Sequence, residues 1–384
     1  MVQLLGYYNP TFYAQEALIQ LENALGMASR VHMGFDAERK AFGKGDVIAI
    51  SRPTSFTAQD APSTAQDLNP DKIQLTLSNW REVKFKLTDK DLAFTTEKII
   101  ADHIRPAAYE LANDIDKKLS LLYRSVGNVY DFASTVAGIA AVKKKLFNQK
   151  VPLYDQANMH FMVDGGVEEA LIQLAAFSQH QGAAGAGVST QLTGNLGQRY
   201  GFNFFTNQNV QTHTTTAFTI SGTVAVVGAT AKGATSITID AVTTLTGTAK
   251  AGDTFVIAGN TQRYAVTADA TAAGNAITVS ISPALVADTA DNAVVTWDQT
   301  DNGKGQNLAF HKNAFALAMA PLSEMGNALG AQIATIQDPK TGLAIRSRVY
   351  YVGNSSEVHV ALDVLYGVTC LDPNLAIRAR QTPA

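Results

Sequence analysis

The block from Gln211 to Gly303 differs in composition from the chain on both sides of it. Thr makes up about a fifth of this block, Leu is rare in it, and Glu is absent. Its β-branched residues alternate with small ones, as in SITID (236–240), TFVIAG (254–259) and AITVSIS (276–282), which is typical of strands. The flanking segments have helical periodicity and ordinary Leu, Glu and Lys content. The sequence therefore predicts an all-β insert in a host domain that has been opened at a loop.

Length and charge limit what the whole chain can be. With 384 residues and 46% hydrophobic content, we expect two or three compact domains with proper cores. The formal charge of -3 and the pI of about 6.2 argue against a dedicated nucleic-acid binder, which needs a surplus of Lys and Arg. The first residues lack the features of a secretory signal, and no uncharged apolar run is long enough to span a membrane.

The residue types that carry catalysis or bind metals do not form recognisable patterns. The seven His residues never pair at three- or four-residue spacing, and no GxSxG motif is present. Cys370 is the only cysteine, so neither an intramolecular disulfide nor a thiolate metal site can form within one chain. GAAGAG (182–187) lacks the lysine and the strand-to-helix context of a phosphate-binding loop. We expect no catalytic residue, no cofactor and no metal.

The N-terminal part of the host is predicted to contain a helix and a projecting arm. Apolar residues on one face predict a helix over Thr11 to Leu25. The strand VIAI (47–50) precedes a polar, Pro-containing stretch from Arg52 to Asp71, and alternation resumes over 73–77 and 83–87. A polar excursion of this length is unusual inside a compact domain, but it is expected in an arm that is ordered by another copy of the chain.

Helices are predicted in the next part of the host. Thr88 and Asp91 indicate a helix start that Pro106 interrupts. Beyond it, a longer helix has an apolar stripe and an opposite face that we expect to be solvated. The stripe comprises Ala108, Leu111, Ile115, Leu119 and Leu122, and the opposite face comprises Glu110, Asp114, Asp116, Lys117, Lys118 and Arg124. A second helix is predicted over Thr135 to Asn148, followed by a strand (159–163) and a third helix (167–177).

Three segments of the C-terminal third, 307–318, 338–348 and 357–380, resemble the closing strands of the major capsid proteins of tailed double-stranded DNA phages. KGDVIAISRP (44–53) and PAAYELANDIDKKL (106–119) resemble the arm base and the spine helix of the same family, and YGFNFFTNQNVQTHTT resembles its strand before the insert. The positions that carry the C-terminal resemblance are Asp338-Pro339, Gly342, Arg346, Leu365-Tyr366-Gly367 and Pro373 to Arg378.

The insert adds to this resemblance. GTAKAGDTFVIAG (247–259) is similar to a strand of the immunoglobulin-like domain that is inserted into podovirus-type coat proteins. The resemblance implies an α+β class and the HK97-type capsid fold, with an inserted all-β immunoglobulin-like domain. The implied parts are an N-terminal arm (1–43), an E-loop (44–88), a P-domain with the spine helix (89–155), an A-domain (156–210), the inserted domain (211–303), and the closing strands of the A-domain and P-domain (304–384).

The function implied by the resemblance is structural rather than enzymatic. A coat subunit of this family self-assembles through hexamers and pentamers into the icosahedral shell that encloses packaged viral DNA. The implied partners are copies of the same chain, scaffolding, portal and decoration proteins, and double-stranded DNA held non-specifically, with no membrane. The implied location is the virion capsid, assembled in the host bacterial cytoplasm. The residues we expect at interfaces between copies are Arg52, Asp60, Asp67, Asp71, Arg81 and Glu82.

A second hypothesis is a β-rich surface or fibre adhesion module that binds glycan or protein through the insert. Phe255, Tyr264 and Trp297 are the aromatic residues that would line such a site. Aromatic residues also provide much of the buried area of a small β domain. We therefore expect these three side chains to fill the core of the insert.

Overall fold

The structure is a computed structural model of the whole chain. It describes residues 10–33, 47–51, 58, 60–61, 65, 72–88, 103–178, 193–215, 218–324, 331–338, 341–355 and 357–381.

Helices and strands are mixed along the described part of the chain, which confirms the α+β class. The helices are α1 (Pro10–Ala24), α2 (Arg105–Ser120), α3 (Val136–Asn148), α4 (Gly165–Ile172) and α5 (Ala175–Ser178). The strands before the insert are β1 (Val47–Ser51), β2 (Lys72–Thr76), β3 (Asn79–Thr88), β4 (Val129–Asp131), β5 (Met159–Val163), β6 (Gln198–Arg199) and β7 (Phe202–Thr206). Those of the insert are β8 (Thr219–Ser221), β9 (Val224–Val226), β10 (Ser236–Ala241), β11 (Thr244–Thr246), β12 (Thr248–Ala249), β13 (Thr254–Ile257), β14 (Arg263–Val266), β15 (Ala270–Thr271), β16 (Ala276–Ser282) and β17 (Val295–Asp298). The closing strands are β18 (Gly305–His311), β19 (Phe315–Ala320), β20 (Gln332–Gln337), β21 (Ala344–Val352), β22 (Glu357–Cys370) and β23 (Ala376–Gln381).

The chain divides into two compact units. The first comprises the described residues of 1–116 and 316–369, and the second those of 117–315 and 370–384. In the first unit, the long strand β22 lies between β3 and β21, with Leu362 opposite both Val83 and Ser347. The strand β20 pairs with the other edge of β21.

The predicted arm begins as a two-stranded ladder in the first unit. The strands β1 and β2 are antiparallel, with Val47 opposite Thr76 and Ser51 opposite Lys72. Four residues of the polar stretch between them, Ala58, Asp60, Ala61 and Ala65, are described, and all four are exposed. The rest of this stretch lies outside the described residues.

The predicted helical region between Thr88 and Pro106 lies almost entirely outside the described residues, whereas the longer helix predicted beyond Pro106 is present as α2. Thr88 is the last residue of β3, where it lies opposite Glu357, and residues 89–102 lie outside the described chain. Pro106 lies in the first turn of α2, where the missing amide hydrogen would have no helical partner. The predicted apolar stripe is buried from Ala108 to Leu119, whereas Leu122 is only partly buried.

The host part of the second unit is a six-stranded mixed sheet covered by short helices. Its strand order is β4-β23-β18-β5-β7-β6. The predicted strand and helix around the turn at residues 164–166 are present as β5 and α4, and Asp164 caps α4 by accepting a hydrogen bond from the Val167 amide at 2.8 Å. A cluster of aromatic rings fills the core beside the sheet, with Phe161 between Phe202 and Phe204 at ring-centre distances of 5.7 and 5.1 Å.

The insert contains two two-stranded sheets, β11-β8 and β12-β15, and one six-stranded sheet that closes on itself. Its strand order is β17-β13-β14-β16-β10-β9. Its two outer strands are joined just before β17. There, the Val226 amide donates to the Ala293 carbonyl at 2.9 Å, and the Asn292 amide donates to the Val226 carbonyl at 3.0 Å. An immunoglobulin domain instead packs two separate sheets face to face. The closed sheet surrounds a hydrophobic core whose members all lie between residues 218 and 297.

The segments that lead into and out of the insert are paired. Thr212 lies opposite Gly305 in an antiparallel bridge, and the His213 amide donates to the Lys304 carbonyl at 3.0 Å. Because the two ends are adjacent, the inserted residues need not close a long loop across the host.

Candidate assembly framework and the ionic junction of the insert

A buried carboxylate organises the large sheet of the first unit. Asp363 on β22 is fully buried and lies directly opposite Arg346 on β21. The Arg346 guanidinium donates from Nε to Asp363 Oδ1 at 3.0 Å and from Nη2 to Oδ2 at 2.5 Å. Trp80 Nε1 on β3 donates to the same Oδ2 at 3.1 Å. The bidentate Arg346–Asp363 ion pair and the hydrogen bond from Trp80 therefore connect three strands, β21, β22 and β3.

Two of the predicted interface residues pair within their own chain. Arg81 Nε lies 3.1 Å from Asp114 Oδ2 on α2. Glu82 Oε2 lies 3.0 Å from Arg348 Nη2 on β21. Asp60 is exposed, and Arg52, Asp67 and Asp71 lie outside the described residues. Arg81 and Glu82 are therefore neighbours on β3 that pair with two different elements, α2 and β21.

Asp114 also joins α2 to the Leu-Tyr-Gly segment of β22. The Tyr366 hydroxyl donates to Asp114 Oδ2 at 2.6 Å. Burial and the neighbouring Asp114 carboxylate raise the pKa of Tyr366, so this hydroxyl keeps its proton.

The next residue, Gly367, allows a close approach between β22 and the arm. A Cβ atom at this position would lie 2.3 Å from the Thr76 carbonyl oxygen, at the end of β2. Any larger residue would push the base of the β1–β2 ladder away from β22.

Asp116 was predicted to be solvated, and this prediction is wrong. Its carboxylate is buried and accepts hydrogen bonds from the amides of Gly26, Met27 and Ala28 at 2.7, 3.2 and 2.9 Å. These amides follow the end of α1. Burial raises the pKa of Asp116, and the three amide hydrogen bonds oppose that shift.

In the second unit, a buried arginine joins the host to the insert. Arg378 on β23 is completely buried. Its Nη1 donates to the Gly252 carbonyl at 2.8 Å and its Nη2 to Asp301 Oδ2 at 3.1 Å. Its guanidinium carbon lies 5.5 Å from the ring centre of Tyr123, within range of a cation–π interaction. Burial lowers the pKa of Arg378, and the charge of Asp301 opposes that shift.

Arg380, two residues further along β23, makes a second set of ion pairs. It contacts the host through Asp131, with Nε 2.8 Å from Oδ1 and Nη2 3.2 Å from Oδ2. It contacts the insert through Asp298 Oδ2, which lies 2.9 Å from Nη2. Asp298 also binds Arg263 Nη1 at 2.6 Å. Burial opposes ionisation of Asp298, but hydrogen bonds from Thr300 and the two arginines lower its pKa to about 2.

A Tyr–His–Asp chain forms the third part of the junction. His213 is buried, with Nδ1 2.9 Å from the Tyr123 hydroxyl and Nε2 2.9 Å from Asp253 Oδ1. A carboxylate only accepts hydrogen bonds, so Nε2 carries a hydrogen that it donates to Asp253. Burial raises the pKa of Tyr123. We call Arg378, Arg380 and His213, together with their carboxylate partners, the ionic junction. These partners are Asp131, Asp253, Asp298 and Asp301.

No local sequence pattern indicates the ionic junction. Its members are separated by long stretches of chain, as with Arg378 and Asp301, and no local spacing brings them together. The sequence contains one indication of buried charge. Two arginines alternate with apolar residues in the strand 376–381. Charged residues in a strand that is buried on both sides need buried partners.

The aromatic residues of the adhesion hypothesis lie inside the insert or against its core. Phe255 and Tyr264 are fully buried, as we expected for core residues. Trp297 is partly buried and stacks on Phe255 with ring centres 5.0 Å apart. Phe255 and Tyr264 are therefore not available to line a glycan site.

The described ranges contain neither a metal-binding cluster nor a membrane-spanning helix. There, no three His, Cys, Asp or Glu side chains converge on a point that could hold a metal ion. In the same part of the chain, no helix combines the length and apolar character needed to cross a bilayer.

The insert is similar to a domain of a phage tail protein. Residues 216–297 match the family model described as the B domain of distal tail protein pb9. A comparison of the whole sequence with curated proteins gave no match.

The whole chain is similar to solved structures from phages. One is from Mycobacterium phage Che8, at 12% identity and a TM-score of 0.49, covering 94% of this chain and 91% of that one. Another is the capsid structure of the cyanophage P-SCSP1u, at 11% identity and a TM-score of 0.44, covering 88% and 84%. A third is the asymmetric unit of the mature capsid of bacteriophage PhiM1, at 11% identity and a TM-score of 0.43, covering 89% and 83%.

Proposed function

We propose that this chain is the major capsid protein of a tailed double-stranded DNA phage and that it self-assembles into the shell around the packaged genome. The observation that carries the proposal is the ordered set of capsid-like motifs along the chain. Several residues of these motifs hold the framework together: Arg346 in the sheet of the first unit, Gly367 against the arm, and Arg378 in the ionic junction.

The arm supports assembly with other copies of the chain. The polar stretch 52–71 leaves the end of the β1–β2 ladder, and its described residues are exposed. Exposed polar segments suit shell assembly, because many weak contacts let misplaced subunits dissociate before the shell closes. We propose that this stretch is an E-loop that binds a neighbouring copy, with Arg52, Asp60, Asp67 and Asp71 at the contact. Arg81 and Glu82 would fix the base of the loop through their ion pairs with Asp114 and Arg348.

The remaining parts of the proposal follow the HK97-type arrangement. The helix α2 would be the spine helix of the P-domain, and residues 156–210 and 304–384 would supply the A-domain and the closing strands. The insert would be a surface domain of the shell. The podovirus-type resemblance of the insert rests on GTAKAGDTFVIAG (247–259), whose strand β13 lies between β17 and β14. Scaffolding, portal and decoration proteins would be partners, and assembly would take place in the bacterial cytoplasm.

Light scattering after size-exclusion chromatography, combined with negative-stain microscopy, tests the proposal. We expect hexamers, pentamers or closed shells of uniform diameter, alone or with a co-expressed scaffolding protein. Replacing residues 52–71 by a short Gly-Ser turn should abolish shells and leave the melting temperature of the subunit unchanged. A chain that stays monomeric at high concentration with scaffolding protein present would contradict the proposal.

A further inference from the structure

A cleft in the second unit lies between the host and the insert. Its volume is about 740 Å³. The host lines it with the last turn of α3, the two residues that follow it, Asn128, Val129 and Asn374, and the insert lines it with Val256 and residues 261–263. The described lining residues include the basic side chains Lys145, Lys150 and Arg263, and none of them is Asp or Glu. The lining therefore carries positive charge, although the chain as a whole carries a net negative charge.

Lys145 enters the cleft region from the last turn of α3. Its Nζ donates to the Val129 carbonyl at 3.3 Å and lies 5.5 Å from the ring centre of Tyr130. Burial and repulsion from Arg263 lower the pKa of Lys145, and attraction from Asp131 only partly offsets them. An anion in the cleft would reduce this repulsion.

Lys150 has a backbone conformation that favours glycine. It follows the end of α3 with a φ of 60°, and its amide donates to the Phe147 carbonyl at 2.9 Å while Val151 donates to Leu146 at 3.2 Å. Glycine is the usual residue at this point of such a helix ending, because it adopts positive φ without strain. The backbone therefore gives no reason for a lysine here, whereas a role for its ammonium group would.

Two buried amide atoms also border the cleft. Among the described residues, neither Asn128 Nδ2 nor Gln149 Oε1 has a hydrogen-bond partner. Gln262 Nε2 donates to Asn128 Oδ1 at 3.3 Å, which fixes the orientation of the Asn128 amide and leaves its Nδ2 donor unpaired. Buried donors without partners are uncommon in folded proteins.

We propose that this cleft binds an oxyanion of the phosphate class, held by Lys145 and Lys150 with the Asn128 amide as a neutral donor. Ammonium groups and amide hydrogens are suitable donors to phosphate oxygens, and each charge-assisted hydrogen bond is stronger than a neutral one. Arg263 is held in place by Asp298 at 2.6 Å and adds positive charge to the lining. The phosphate could come from a free ion or from a nucleic-acid backbone. This inference does not depend on the proposed function.

Isothermal titration calorimetry with the full chain at low ionic strength tests the site. The ligands are inorganic phosphate, a short DNA duplex and poly-glutamate. The variants are Lys145→Gln and Lys150→Gln, and the matched control is Lys144→Gln, which removes an exposed charge on the same helix outside the lining. Melting temperatures would verify that each variant is folded.

We expect phosphate to bind the wild-type chain and the Lys144→Gln control equally. Each of the two lining variants should weaken binding by about tenfold, the loss expected for one charge-assisted hydrogen bond. If the two lining variants weaken binding of the duplex and inorganic phosphate does not bind, the natural ligand is a phosphodiester backbone. The proposal is wrong if neither phosphate nor the duplex binds, or if the Lys144→Gln control weakens binding as much as the lining variants. It is also wrong if poly-glutamate binds equally well and is weakened by the same two lining variants.

Discussion

At the scale of single residues, the buried charges of this protein act as structural anchors. Asp116, Asp363 and Arg378 each have less than a tenth of their surface exposed, and each makes two or more hydrogen bonds to segments distant in sequence. Burying a charge is costly unless it is paired, so the loss of one partner has large effects.

The Asp116 carboxylate gives the first prediction. Asp116→Ala would leave the amides of Gly26, Met27 and Ala28 without their acceptor. An unpaired buried donor costs about 1–3 kcal/mol, so we expect the free energy of unfolding to fall by at least about 3 kcal/mol. Urea denaturation measures this change. Glu110→Ala, an exposed position on the same helix, is the control and should change it by less than about 0.5 kcal/mol.

The pKa of Asp298 gives the second prediction. This pKa is about 2 in the folded protein and near 3.8 in the unfolded chain, so the ionised carboxylate stabilises the fold above pH 4 by about 2 kcal/mol. That contribution should be lost as the pH falls from 4 to 2. Melting temperatures of the wild type and of Asp298→Asn should therefore differ at pH 6 and converge near pH 2. A difference that stays constant across this range would contradict the assignment.

At the scale of elements, the contact of β22 with the arm ladder depends on one glycine. Gly367→Ala would place a methyl group 2.3 Å from the Thr76 carbonyl, so β2 must move. We expect a loss of about 1–3 kcal/mol in the free energy of unfolding, as for overpacked positions. The control is Gly353→Ala, since nothing lies within 4 Å of a Cβ at that position. Equal melting temperatures for the two variants would show that β2 yields without cost.

At the scale of the whole molecule, the insert has its own core but shares the ionic junction with the host. A host that lacks residues 214–302 would retain Arg378 without Asp301 and the Gly252 carbonyl. Removing the partner of a buried charge costs about 3–5 kcal/mol. The insert therefore has a core of its own, and the host depends on carboxylates of the insert to pair with its buried arginines.

This arrangement predicts the outcome of deleting the insert. Replacing residues 214–302 by a short Gly-Ser turn should give an insoluble or strongly destabilised host. Adding Arg378→Leu to the same deletion should restore part of the solubility and melting temperature, because no unpaired charge is then buried. Arg348→Leu in the deleted chain is the control, since this arginine lies in the first unit and should not rescue it. A deleted host that folds normally without the second change would show that the junction is dispensable.

The sequence by itself determined the features that depend on neighbouring residues. The β composition of the insert, the buried stripe from Ala108 to Leu119 and the turn at Asp164 follow from local periodicity and capping. The tertiary structure decided which charges are buried and what they bind. Asp116 lies in a helix pattern that indicates a solvated face, and Arg378 pairs with a carboxylate 77 residues away. Such pairs depend on strand register and on packing between distant segments, and neither is encoded in the spacing of adjacent residues.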